Sequence, residues 1–108
     1  CAGILRHGVQ AVIQHIVCFR FKPGTPDAAI QAAGEALRGM KGKIPEVRAV
    51  RWTRNLAPSA AEYPWVLTVE VDDMAAVDRY TAHPVHQQVV AEYLAPVREA
   101  RLAIDIEA

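Results

Sequence analysis

A chain of 108 residues suits a single domain with a modest core. Its hydrophobic share of 52% is high for so short a domain and points to apolar surface buried against a second copy. Lys and Arg total 12, as do Asp and Glu, and the basic residues form no run or stripe, which excludes nucleic acid and anionic membrane surfaces as partners.

Residues 1–12 carry Gly3 and Gly8 without periodicity and read as an N-terminal tail. Because the chain opens on Cys1, further residues upstream are expected. Cys1 and Cys18 are too few and too far apart for a zinc site or a disulfide framework. Cys18 is therefore expected as a reduced core thiol, in a reducing, cytoplasmic compartment. No apolar run approaches the ~18 residues of a membrane-spanning helix.

The first firm element is a strand over Ile13–Lys22, with Ile13, His15, Val17, Phe19 and Phe21 on one face. Ile16 and Cys18 make the centre of the other face apolar too, as in a strand covered on both sides. Thr25 then offers an N-cap and Pro26 a first helical position. Ile30, Ala33, Leu37 and Met40 mark the buried stripe of that helix, which Gly39, Gly42 and Pro45 bring to an end. A second strand is expected over Val47–Asn55 with Val50 and Trp52 on one face. After a loop at Leu56–Glu62, a third spans Tyr63–Asp72 and lines up Trp65, Leu67, Val69 and Val71.

Asp72-Asp73 opens a helix over Met74–Ala82, and a second helix runs over Pro84–Val97. Proline has no N–H to lose at a first helical position and pushes its predecessor out of helical geometry, so His83 is the N-cap at this junction. Helical spacing turns Tyr80 inward with Met74 and Val77, and His86 inward with Val89, Val90, Tyr93, Leu94 and Val97. The closing strand, Ala100–Glu107, alternates Leu102, Ile104 and Ile106 with Ala103 and Asp105.

The order β-α-β-β-α-β predicts an α+β domain of ferredoxin-like type, a four-stranded antiparallel sheet with helices on one face. If Asp105 faces the helices, three aliphatic side chains face outward, and a homodimer packed sheet to sheet would cover them. Tyr80 and His86, converging on one apolar interior, are the candidate catalytic pair. A neutral imidazole can take a proton near pH 7, a carboxylate can orient it, and a phenol can donate to a developing oxyanion. His15, Val17 and Trp65 are the candidate pocket lining. His83 and His86 lie three apart, but with no H-E-x-x-H pattern or nearby cysteine no metal site is expected, and no organic cofactor is called for.

Three stretches carry a resemblance: Ile13-Gln14-His15-Ile16-Val17-Cys18-Phe19-Arg20-Phe21-Lys22, Tyr80-Thr81-Ala82-His83-Pro84-Val85-His86 and Ala103-Ile104-Asp105-Ile106. Together they resemble the stress-responsive dimeric α/β-barrel (Dabb) family over a domain of residues 13–108. The resemblance implies a ferredoxin-like protomer and a dimer whose two sheets form a barrel. Among the family's enzymes are cofactor-free polyketide cyclases. By likeness to them, His86 and Tyr80 carry catalysis, Asp105 supports His86, and His15 lines the cavity. Where those cyclases place a further cavity histidine on the third strand, this chain has Trp65. The implied activity is that of a cyclase, lyase or isomerase on a hydrophobic, polyketide-like carbonyl compound. Two alternatives stand beside it: a non-enzymatic, stress-associated binding protein, and a subunit that works only within a larger assembly.

Overall fold

The computed structural model describes residues 12–107, so the N-terminal tail lies, but for Val12, outside the described residues. The elements run β1 (Ile13–Phe21), α1 (Asp27–Arg38), β2 (Ala49–Arg54), β3 (Trp65–Val71), α2 (Met74–Ala82), α3 (Pro84–Val89) and β4 (Arg98–Glu107). A short 3-10 turn at Pro58–Ala61 sits in the β2–β3 loop, and a wide π-helical turn at Val90–Leu94 continues α3. The sheet order is β2-β3-β1-β4, with every neighbouring pair antiparallel. This is the ferredoxin-like arrangement, an α+β fold.

Strict alternation decides which face each strand buries. On β1, Ile13, His15, Val17, Phe19 and Phe21 are all buried under the helices, while the residues between them are half-buried on the outer face. Cys18 belongs to that outer face and carries a free thiol, so it is not part of the core as its apolar neighbours suggest. The helical layer closes the core with Leu37, Met40, Ile44, Tyr80 and Leu94 against Val69 and Val71. Met74 and Tyr93 stay exposed despite their helical spacing, since one sits at the first position of α2 and the other in the wide turn, where the inward stripe breaks.

The caps follow local chemistry. Asp73 accepts a hydrogen bond from the Ala76 N–H at 2.8 Å and starts α2. His83 caps α3 as expected, its Nδ1 accepting from the Val85 N–H at 3.1 Å. At α1 the cap differs from expectation. Pro26 itself stands at the N-cap in extended geometry, and Thr25 donates its hydroxyl to the Lys22 carbonyl at 2.6 Å. Proline forces the residue before it to be extended, so the threonine hydroxyl closes the Pro23–Thr25 turn instead of capping a helix.

α1 approaches the sheet at Gly34, where an added Cβ would lie 2.5 Å from Trp52 Cδ1 and 2.7 Å from its Nε1. Gly34→Ala gains about 1 kcal/mol of helix propensity, against an overpacking cost of about 1–3 kcal/mol. Trp52 is hemmed in by Phe19, Phe21 and Trp65, so the cost should win. Denaturant unfolding should therefore give a less stable variant, and a stabilised one would show that Trp52 moves aside freely.

The outer face of the sheet is divided. Its β2–β3 half is polar, with Arg51, Thr53, Thr68 and Glu70 around a shallow groove. Its β1–β4 half exposes Leu102 at 49%, Ile104 at 46% and Ile106 at 45%. Register sets Ile104 beside Ile16 and Leu102 beside Cys18, which joins these side chains into one apolar strip.

Candidate active site

A cavity of about 220 Å³ opens between the inner face of the β1–β4 half of the sheet and the α2–α3 junction. Val17, Phe19, Leu37, Leu67 and Leu94 make its walls apolar. His15, Tyr80, His86, Arg98 and Arg101 supply its polar groups. The proline-driven break at His83 is what brings Tyr80 and His86 together, by ending one helix and starting another across the same cavity. Their ring centroids lie 4.6 Å apart. His15 reaches the same phenol from the sheet side, edge-on at 5.8 Å.

His86 donates from Nδ1 to the Thr81 carbonyl at 2.9 Å. A carbonyl can only accept, so the proton of the neutral ring sits on Nδ1 and the lone pair is left on Nε2. Burial holds the imidazole below its ordinary ionisation range; the Thr81 carbonyl acts against that shift, and the charges of His15, Arg101 and Arg98 add to it. The ring is thus kept neutral and basic at Nε2.

Tyr80 is only 1% exposed. Its hydroxyl is buried and finds no hydrogen-bond partner among the described residues. Burial pushes the phenol's ionisation well above its ordinary range, with the Arg101 charge acting weakly in the opposite direction. The phenol is therefore a protonated donor, and an unused one.

Asp105 stands elsewhere than expected. It accepts from His15 Nδ1 at 2.6 Å, not from His86. β1–β4 register explains it, because His15 and Asp105 are direct cross-strand partners on the inner face. The carboxylate thus orients the strand histidine, and the helix histidine is oriented by backbone. Val17 lines the cavity beside His15, as the spacing predicts. Trp65 does not line it. It stacks on Trp52 at 5.3 Å and 5° between planes, with the Arg54 guanidinium over its ring at 5.1 Å. β3 has β2 as its other neighbour, and that side draws the indole away, so Leu67 is what β3 presents to the cavity.

Arg98 and Arg101 escaped the sequence reading, although Arg101 shares the alternating face of Ala103 and Asp105. Arg98 was not so accessible. The β1–β4 register slips between Arg20 and Phe21, so Arg98 and not Glu99 opposes Phe21 on the inner face. Among the described residues no group of three or more His, Cys, Asp or Glu is placed to hold a metal ion.

The sequence profile of the Stress Responsive A/B Barrel Domain matches residues 13–108. An uncharacterized protein of Streptomyces coelicolor is 32% identical over 82 residues, 74% of this chain and 84% of that protein. Among solved structures, a dimeric protein of ferredoxin-like fold from Bacteroides fragilis superposes with a TM-score of 0.79 at 26% identity, covering 92% of this chain and 98% of its own. A Dabb family protein from Mesorhizobium loti gives a TM-score of 0.77 at 27% identity, over 90% of this chain and 96% of its own. A hydroxynitrile lyase from Passiflora edulis gives 0.80 at 16% identity, over 92% of this chain and 94% of its own, a likeness of fold alone.

Proposed function

The chain belongs to the stress-responsive A/B barrel (Dabb) family, and on that footing we propose that it is a homodimeric, cofactor-independent acid–base enzyme acting on a hydrophobic carbonyl compound. The observation that carries this reading is the pairing of a buried Tyr80 hydroxyl, without a partner among the described residues, with a histidine whose Nδ1 is already bonded. A buried hydroxyl without a partner is costly, and a substrate oxygen would relieve that cost.

The division of labour follows from the protonation states. His86 Nε2 takes a proton from the carbon next to the substrate carbonyl. Tyr80 donates to the oxygen as negative charge gathers there. His15, its Nδ1–H held by Asp105, turns its Nε2 lone pair to the cavity from the opposite wall, a second acceptor for a substrate proton. That sequence serves enolisation, aldol-type cyclisation and the reverse, carbon–carbon cleavage of lyase type. The apolar strip on the outer sheet face supports the homodimer, in keeping with the dimeric relative from Bacteroides fragilis. The free Cys18 thiol fits a reducing, cytoplasmic setting, and none of the described helices is long and apolar enough to cross a membrane.

The test is deuterium exchange at the α-carbon of aryl ketones in D₂O, followed by NMR. Wild type should exceed the buffer rate, and Tyr80→Phe should lower that excess by about 10²-fold, the usual loss for one oxyanion donor. No excess over buffer would leave only a binding protein, and a Tyr80→Phe protein as fast as wild type would remove the phenol from the chemistry.

A further inference from the structure

Outside the cavity three arginines find carboxylates, Arg54 lies over the Trp65 ring, and Arg38 and Arg51 stand on the surface without an ion pair among the described residues. Arg20 donates to Glu99 at 2.6 Å, Arg48 to Asp72 at 3.0 Å and Arg79 to Glu46 at 3.1 Å. The two arginines of the cavity find no carboxylate. Arg98 and Arg101 line the same cavity, and among the described residues neither has a hydrogen bond or ion pair with a carboxylate. Asp105 does not neutralise them. It is bonded to His15, and its Cα lies four strand residues from that of Arg101, roughly 13 Å at ordinary strand rise.

Their presence is also built into the fold. The register slip after Arg20 swaps a glutamate for Arg98 at the position opposite Phe21, and the displaced Glu99 pairs with Arg20 on the outer face. Burial makes the Arg98 charge harder to hold, and the Arg101 charge beside it adds to the difficulty. Two neighbouring guanidiniums at one end of a cavity repel one another until an anion joins them. Guanidinium forks match a carboxylate in bidentate geometry.

We infer that Arg98 and Arg101 form an anion subsite of this cavity, so that its substrate is a hydrophobic oxo acid, with the carboxylate on the arginines and the carbonyl against Tyr80 and His86. The inference rests on the acid–base reading only for the second half of that placement. The arginines sit at the Phe19–Phe21 end of β1 and His15 at its middle, so the compound would lie along the strand direction with its apolar body on Val17 and Leu67.

The experiment compares 4-oxo-4-phenylbutanoate with its methyl ester, which keeps the oxo-phenyl skeleton and replaces the negative charge by a methyl group. Binding is measured by calorimetric titration to the full-length protein at low salt. The acid should bind at least about tenfold more tightly than the ester, the scale of one charge-assisted pair. The preference should shrink as salt is raised. In an Arg98→Gln/Arg101→Gln protein, shown folded by circular dichroism, acid affinity should fall to that of the ester. Equal affinity for acid and ester in wild type, binding of the ester alone, or binding of neither overturns the anion subsite. Equal affinity with α-proton exchange intact would spare the acid–base reading. A strong acid preference without any exchange would do the reverse, keeping the subsite and removing the chemistry.

Discussion

His86→Ala should lower turnover of a carbonyl substrate by about 10²–10⁴-fold, the range for losing a positioned general base. The fold should survive, because the side chain is only half-buried and makes one hydrogen bond, to Thr81, worth about 1 kcal/mol net. Paired kinetics and denaturant unfolding check both halves. A variant that unfolds readily yet turns over normally would make His86 a packing residue. The pH profile adds a sign. Burial lowers the folded-state ionisation of His86 from the ordinary 6.5, so the base form persists through neutrality. The acid limb of kcat/KM should therefore fall below pH 6.5. Stability shifts the same way. As pH drops, the unfolded chain binds this proton first, so the contribution of neutral His86 is present above 6.5 and lost below it. A limb above 6.5 would mean that another group sets the rate.

Ile104→Glu should split the proposed homodimer without dismantling the subunit. Ile104 pairs with Ile16 on the outer face, away from the core, and each subunit of a twofold pair brings its own copy. Burying such a side chain is worth about 1.5–3 kcal/mol. Two copies give roughly 3–6 kcal/mol, or about 10²–10⁴ in the dissociation constant. Burying a carboxylate on the same strip adds to the loss. Sedimentation velocity should report a folded monomer at micromolar concentration. Leu56→Glu, at a loop position 93% exposed, should leave assembly untouched. A dimer that tolerates glutamate at Ile104 would place the interface somewhere else.

Much of the architecture was legible because its signals are local. Period-two alternation on β1 and β3 reports the buried face directly, and Pro84 marks the helix junction through its own covalent geometry. That was enough to put Tyr80 and His86 on one interior. Partners were less legible, because they depend on register between strands distant in sequence. Asp105 pairs with His15 and not His86 because β1 and β4 align those two residues, 90 positions apart. Trp65 leaves the cavity because Trp52, on another strand, offers it a parallel face. Arg98 enters because one register slip reverses the expected alternation at the start of β4. Each of these is decided by two segments at once, and residue spacing within one segment carries no trace of it.

The wide turn at Val90–Leu94 has a bearing on descent. There the Ala95 N–H reaches the Val90 carbonyl at 2.7 Å, five residues back, which is how a helix absorbs one surplus residue without breaking. Val90 and Leu94, at its two ends, both line the cavity. A single codon gained or lost at this point would rotate the roof of the cavity by a fraction of a turn while β1, His15 and the Tyr80–His86 junction stayed where they are. A lineage built on this fold can thus try new cavity shapes in one-residue steps, without first giving up its acid–base apparatus or its capacity to fold.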